Sequence, residues 1–100
     1  MHKYDVWINP QAAREIEEIY DYISSVKRSP ETAKKQCDRI RQAIMSLEIF
    51  PEGHQYRTSG RYSGSLYRQL LIDNYVAIFK IDEASKAVYV VTVQYQGRNV

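Results

Sequence analysis

The spacing of apolar residues predicts two amphipathic helices in the first half of the chain. In the first, Asn9 supplies a cap side chain and Pro10 a preset φ, so the helix should begin there and run for about 18 residues. Its apolar stripe consists of Ala12, Ile16, Ile19, Tyr20, Ile23 and Val26. The charged residues between them fall mostly on other faces, which leaves one stripe to be buried.

A second helix start follows closely. Ser29-Pro30-Glu31 combines a cap, a first-turn proline and an acid that favours the positive end of the helix dipole. The helix should end near Phe50-Pro51, because proline disfavours the α conformation in the residue before it. Two helices joined by so short a link must run antiparallel. The second apolar stripe consists of Ala33, Cys37, Ile40, Ile44 and Leu47.

Residues that favour β-strands dominate the start and the last third of the chain. Alternation over residues 4–9 predicts a first strand. Residues 66–72 and 75–81 predict two more, joined by a two-residue turn at Asp73-Asn74. After a second turn, residues 88–95 are the most β-prone segment, and their nearly continuous apolar character is typical of a central strand.

The order of elements is therefore strand, helix, helix, loop and a three-strand meander. Residues 53–65 predict the loop, with at most one short strand, and the polar tail 96–100 is expected to fray unless it is bound. Because a sheet with one apolar face needs a cover, the pattern predicts an α+β fold. An N-terminal strand and an antiparallel helical hairpin should pack with a mainly antiparallel sheet, completed by the C-terminal meander. The first strand can join the sheet at its edge or at its centre, and the pattern allows both positions.

Composition narrows the class of protein. One hundred residues bury a single core, so residues 1–100 should form one domain. No apolar run approaches the roughly 18 residues that cross a bilayer, and Met1-His2-Lys3 lacks an apolar signal core, so export and membrane insertion are not expected. The lone Cys37 excludes an internal disulfide and a structural zinc, and its stripe position favours a core role. We expect a cytoplasmic protein without a metal or organic cofactor.

The net charge of +2 hides an uneven distribution. Residues 53–72 hold three arginines and no acid, and Tyr56, Tyr62 and Tyr67 are interleaved with them. Such a stretch suits a polyanion or an acidic partner. The alternative is a solvated basic surface without a ligand.

Several segments, taken together, resemble the RelE/ParE toxin superfamily. The helical hairpin and its Phe50-Pro51-Glu52-Gly53 exit fit the family, so the resemblance covers essentially the whole chain. It implies a small bacterial toxin held inactive by an antitoxin protein, whose extended or helical segment wraps the toxin. Because so small a domain leaves apolar surface on the helical hairpin or the open sheet edge, we expect that segment to be amphipathic and acidic. The other matching segments are Tyr67-Arg68-Gln69-Leu70, Asp73-Asn74-Tyr75-Val76-Ala77-Ile78-Phe79-Lys80-Ile81 and Val91-Thr92-Val93-Gln94-Tyr95-Gln96-Gly97-Arg98.

Two mechanisms are implied by the resemblance, since a fold does not fix function. RelE-like members cut mRNA in the ribosome, and ParE-like members bind and poison DNA gyrase. A RelE-like nuclease has a key arginine after the aromatic residue that starts the hairpin's second strand, where this chain has Val76 after Tyr75. Valine neither clamps a phosphate nor moves a proton. Arg68 does match a basic position, whereas the basic residue late in the last strand is missing.

These departures favour a ParE-like toxin that acts by binding its target. A metal-independent mRNA endoribonuclease and a non-toxic interaction module on the same fold are the alternatives. Target-binding anchors are expected at Tyr56, Arg57, Arg61, Tyr62, Arg68 and Arg98. The candidate acid, base and phosphate-binding groups of a nuclease are His54, Arg57, Arg61, Arg68, Tyr95 and Arg98.

Overall fold

The computed structural model describes residues 3–58, 60–62 and 66–96. Four strands and two α-helices make up an α+β fold, as the pattern predicts. The elements are β1 (Asp5–Ile8), α1 (Pro10–Val26), α2 (Pro30–Met45), two 3₁₀ turns (Ser46–Glu48 and Pro51–Gly53), β2 (Arg68–Ile72), β3 (Tyr75–Asp82) and β4 (Ala87–Tyr95).

Both helices begin at the predicted prolines. The Ser29 hydroxyl caps α2 by accepting the Thr32 N–H at 3.2 Å, which confirms the second cap. The cap predicted at Asn9 is wrong in its chemistry, because its side chain makes no capping hydrogen bond. Asn9 instead extends β1 in a β conformation, and its N–H donates to the Val90 carbonyl oxygen at 3.0 Å.

The second helix ends earlier than expected. α2 stops at Met45, and the Ser46 N–H reaches several preceding carbonyls, which tightens the chain into a 3₁₀ turn. The residue before Pro51 does leave the α region, as predicted. Phe50 takes a left-handed conformation with φ of 52°, and its ring covers Gly53, where a Cβ would lie 2.6 Å from Phe50 Cε2.

The sheet has the strand order β1-β4-β3-β2. β4 therefore lies inside the sheet, which confirms the prediction for the most apolar strand. β1 lies at an edge and pairs in parallel with β4, while β2, β3 and β4 form the antiparallel meander. A bulge between Ile78 and Phe79 places Val91 outside the regular β3–β4 register.

The helical hairpin covers one face of this sheet. Phe79 and Val90, a register pair of β3 and β4, pack in a common core with Ile16 of α1 and Ile40 of α2. Cys37 belongs to this core, and burial raises the pKa of its thiol, so the core role predicted for it is confirmed. No described helix combines the length and apolar character that a membrane crossing requires.

Tyr4 connects three segments of the chain through its hydroxyl group. Its hydroxyl lies 2.7 Å from Glu52 Oε2 and 2.9 Å from Glu83 Oε1, so one proton is shared between two carboxylates. The hydrogen bond to Glu52 raises the pKa of Tyr4 and lowers the pKa of Glu52. Tyr4, just before β1, therefore joins the Pro51–Gly53 turn to the β3–β4 turn.

The C-terminal tail is anchored at its first residue. The Gln96 N–H donates to the Asn74 carbonyl oxygen at 2.8 Å, and the Gln96 amide donates to the Asp73 carbonyl oxygen at 2.9 Å. The expectation of fraying is therefore wrong at Gln96. Residues 97–100 lie outside the described residues.

Candidate functional site

The segment after α2 runs beside the start of β2. Tyr56 forms an antiparallel bridge with Arg68. The Arg57 N–H donates to the Tyr67 carbonyl oxygen at 2.9 Å, and the Gln69 N–H donates to the Gln55 carbonyl oxygen at 2.9 Å. This is the short strand-like stretch expected within the loop, and it fixes where the basic side chains point.

The Arg68 guanidinium is enclosed by its own chain. Its Nη1 donates to the carbonyl oxygens of Glu52 at 3.0 Å and His54 at 2.8 Å. Its Nη2 donates to the Tyr56 hydroxyl at 2.8 Å. The guanidinium carbon Cζ lies 4.0 Å from the centre of the Tyr56 ring. Both terminal nitrogens are therefore engaged, so in this conformation Arg68 is a clamp on the loop rather than a free phosphate ligand.

His54 lies in the same junction. Its ring packs edge-on against Phe79, with 5.8 Å between the ring centroids. Burial, assisted by the charge of Arg68, lowers the pKa of His54 and so favours the neutral imidazole. His54 is therefore partly buried against the core rather than fully exposed in the loop.

Arg57 points to the side of the sheet that the helices leave uncovered. Arg68 is opposite the core residue Phe79, so its neighbour Gln69 faces the other way. Arg57 Nη1 donates to Gln69 Oε1 at 3.0 Å, which places Arg57 on that side as well. We call this surface the helix-free face, defined by Trp7, Arg57, Gln69, Lys80 and Tyr89.

The helix-free face is basic and aromatic. Lys80 and Trp7 both pair in register with Tyr89, and Trp7 is 57% exposed. Arg57 Nε is buried and has no hydrogen-bond partner in the described part of the chain. Sequence reasoning missed Trp7, Lys80 and Tyr89, although alternation along two predicted strands carried the signal. A cation and an exposed tryptophan on the same face of the sheet suit contact with a partner.

The remaining predicted residues are dispersed. Tyr62 packs edge-on against Tyr67 with 5.3 Å between ring centroids, and Arg61 is exposed. Tyr95 pairs with Tyr75, four residues along β3 from the partner of Arg68, which is a separation of about 13 Å. Arg98 lies outside the described residues.

Val76 is the position at which a cation would be expected in a RelE-like nuclease. Its side chain is only 1% exposed, between Leu71 of β2 and Gln94 of β4. The structure does not bring the nuclease candidates together, because Arg57 and Arg68 lie on opposite faces and Tyr95 lies far along the sheet. The described residues therefore show no arrangement in which a base, an acid and a phosphate clamp converge.

A second polar cluster was not predicted. Glu15 of α1 accepts hydrogen bonds from Thr92 Oγ1 at 2.7 Å and from the Val93 N–H at 3.1 Å. Gln94 Nε2 donates to Thr92 Oγ1 at 2.9 Å. Thr92 and Gln94 are the two polar residues in an otherwise apolar segment of β4, and this interruption was the available signal.

Comparison with protein families gives a match over nearly the whole chain. Residues 6–100 match the family described as ParE toxin of type II toxin-antitoxin system, parDE. The comparison with curated proteins finds no match. Among solved structures, the chromosomal ParDE system of P. aeruginosa is similar at a TM-score of 0.75 and 20% identity, covering 95% of this chain and 98% of that one.

Two further structures share the fold. The RelBE2 toxin-antitoxin complex of Mycobacterium tuberculosis has a TM-score of 0.65 at 15% identity, covering 98% of this chain and 97% of that one. The RelE-RelB complex of Pyrococcus horikoshii OT3 has a TM-score of 0.63 at 18% identity, covering 96% and 98%. The family match spans nearly the whole chain, which confirms the resemblance seen in the sequence. The chain belongs to the ParE toxin family of type II toxin-antitoxin systems, within the RelE/ParE superfamily.

Proposed function

We propose that this chain arrests growth by binding DNA gyrase in the cytoplasm and that a cognate antitoxin holds it inactive. The observation that carries this proposal is the engagement of Arg68, whose terminal nitrogens all contact the chain itself. With Val76 buried at the position that would need a cation, the described residues offer surfaces for binding but no catalytic centre.

The helix-free face is the proposed target surface. Arg57 and Lys80 bring positive charge there, and Trp7 and Tyr89 add aromatic area, which is the composition typical of binding hot spots. Arg61 and Tyr62, in the loop that follows Arg57, remain proposed anchors from the sequence. Arg98 remains a proposed anchor from the sequence.

The antitoxin partner is proposed from the family and from the neighbours in structure. The P. aeruginosa structure is described as a ParDE toxin-antitoxin system, and the two RelE-type structures are toxin-antitoxin complexes. A domain of this size leaves several large apolar side chains exposed, including Phe50 and Tyr22. A wrapping antitoxin segment would remove such surface from water.

Two assays distinguish gyrase from mRNA as the target. Purified chain is added to DNA gyrase with relaxed plasmid, and in parallel to a translation reaction whose mRNA is read by primer extension. We expect loss of supercoiling and uncut mRNA. Cuts in register with codons would overturn the binding mechanism in favour of an mRNA endoribonuclease, and silence in both assays would favour a non-toxic interaction module.

A further inference from the structure

The edge of β4 that faces β1 has a partner strand along only half of its length. β1 pairs with β4 from Asp5↔Ala87 to Ile8↔Val90, and the chain then turns into α1 at Pro10. β4 continues to Tyr95, and residues 91–95 have no neighbouring strand on that side among the described residues. An unpaired stretch of a central strand is a template for an added strand.

Glu15 occupies the position that a neighbouring strand would fill. Its Oε1 accepts the Val93 N–H at 3.1 Å, as a strand carbonyl would, and it also accepts the Thr92 hydroxyl at 2.7 Å. A carboxylate therefore satisfies the open edge without closing it. The contact comes from a flexible side chain on α1, which an incoming backbone carbonyl can replace.

The acceptors beside this edge exceed the donors that meet them. Gln94 is 7% exposed, and its Oε1 is buried without a hydrogen-bond partner in the described part of the chain. Its Nε2 is already used by Thr92 Oγ1. Glu15 Oε2 has no hydrogen bond to the described residues either. The buried Gln94 oxygen costs free energy until a donor arrives.

These groups line a cleft of about 900 Å³ between α1 and the end of β4. Two carboxylates, Glu15 and Glu18, face one ammonium, Lys27. Tyr22 and Tyr95 also line it and are 58% and 54% exposed. The cleft thus combines negative charge, a buried unpaired oxygen and aromatic faces.

We propose that this cleft binds an extended, arginine-bearing segment of the antitoxin. The segment's main chain pairs with the edge at residues 91–95, and its guanidinium donates to Glu15 and Gln94 while it lies against Tyr22 or Tyr95. Arginine fits better than lysine, because its planar group carries five donors and stacks on aromatic rings. This proposal rests on the proposed function for the existence of an antitoxin. It assigns a basic contact to a partner that the sequence leads us to expect as acidic.

Synthetic peptides test the chemistry without an identified antitoxin. The probe is a blocked seven-residue peptide of alternating valine and threonine with one central arginine. Its neutral counterpart carries citrulline, which keeps the shape but removes the charge. Calorimetric titration of the full chain should show at least about tenfold tighter binding of the arginine peptide. Equal binding of both peptides, or none by the arginine peptide at millimolar concentration, would overturn the proposal.

Two matched variants locate the site. Glu15→Gln keeps an oxygen for Val93 and removes the charge, so it should weaken the arginine peptide about tenfold and leave the citrulline peptide unchanged. Glu17→Gln removes an exposed carboxylate from the same helix, outside the cleft, and should change neither. An equal loss in both variants would mean that only net charge is sensed and would overturn the proposal.

The gyrase assay keeps the two proposals separate. A chain that leaves supercoiling intact overturns the proposed function, whereas the peptide titrations judge the cleft alone. If the chain inhibits gyrase but binds the arginine and citrulline peptides equally, the proposal for the cleft is wrong and the proposed function is unaffected.

Discussion

Two charged clusters in this molecule use their hydrogen bonds differently. At the Arg68 junction, each terminal nitrogen meets an acceptor from the same chain, and an aromatic ring lies 4.0 Å from the guanidinium. At the Glu15 cluster, one carboxylate oxygen bonds two donors while the buried Gln94 oxygen has none. A closed cluster stabilises the fold, and a cluster with unused capacity offers a place for another molecule.

The same contrast separates Arg57, in the short stretch beside β2, from Arg68, the first residue of β2. Arg68 points toward the core and holds the loop, whereas Arg57 points to the helix-free face and leaves its Nε unused. Charge and sequence spacing make the two look equivalent. Only the direction of each side chain assigns one to stability and the other to binding.

The largest effect on stability is expected from Arg68→Ala. The change removes three hydrogen bonds and leaves the carbonyl oxygens of Glu52 and His54 without their donor. Unfolding by urea should show a loss of about 2 kcal/mol, equivalent to a thermal midpoint lower by about 10 °C. Arg68→Lys should recover part of this loss, since one ammonium replaces some of the donors.

An exposed arginine provides the control for that measurement. Arg61→Ala should change the free energy of unfolding by less than about 0.5 kcal/mol. If Arg68→Ala were as stable as Arg61→Ala, the junction would not be a structural cluster, and Arg68 would return to the candidates for direct contact with a target.

A smaller loss is expected from Glu15→Ala. The Val93 N–H and the Thr92 hydroxyl lose their acceptor, but the cleft beside them has room for a water molecule that replaces it. The free energy of unfolding should fall by about 1 kcal/mol, less than for Arg68→Ala, in the same urea titration. A loss as large as that of Arg68→Ala would mean that the Glu15 cluster is also a closed structural unit.

Much of the fold followed from local sequence signals. Ser29-Pro30 marks the start of α2, and the apolar run of β4 marks an inner strand, because capping and burial act over a few neighbouring residues. The end of α2 at Met45 was missed by several residues, since the 3₁₀ turn after it depends on bifurcated contacts of Ser46 that no periodicity reveals.

The site was less predictable because its contacts join distant parts of the chain. Arg68 meets carbonyl groups that lie 14 and 16 residues away, and Glu15 meets Thr92 across 77 residues. Residue type alone placed Arg57 and Arg68 in one basic group. The register of β2 against β3, which decides their faces, becomes known only once the sheet is assembled.

The smallest effect on stability and a large effect on function are expected from Arg61→Ala combined with Arg98→Ala. Both arginines are proposed target anchors, so their removal should relieve growth arrest in a cell-based assay while the thermal midpoint stays close to that of the unaltered chain. Lys35→Ala with Arg41→Ala removes the same charge from exposed positions of α2 and should leave growth arrest intact. If only the α2 pair relieved it, the target would bind the helical side, and the helix-free face would lose its assignment. If only the Arg61 and Arg98 double variant relieves growth arrest, these two arginines contact the target directly. Arg68 differs from them, because its loss should reduce toxicity only by destabilising the fold.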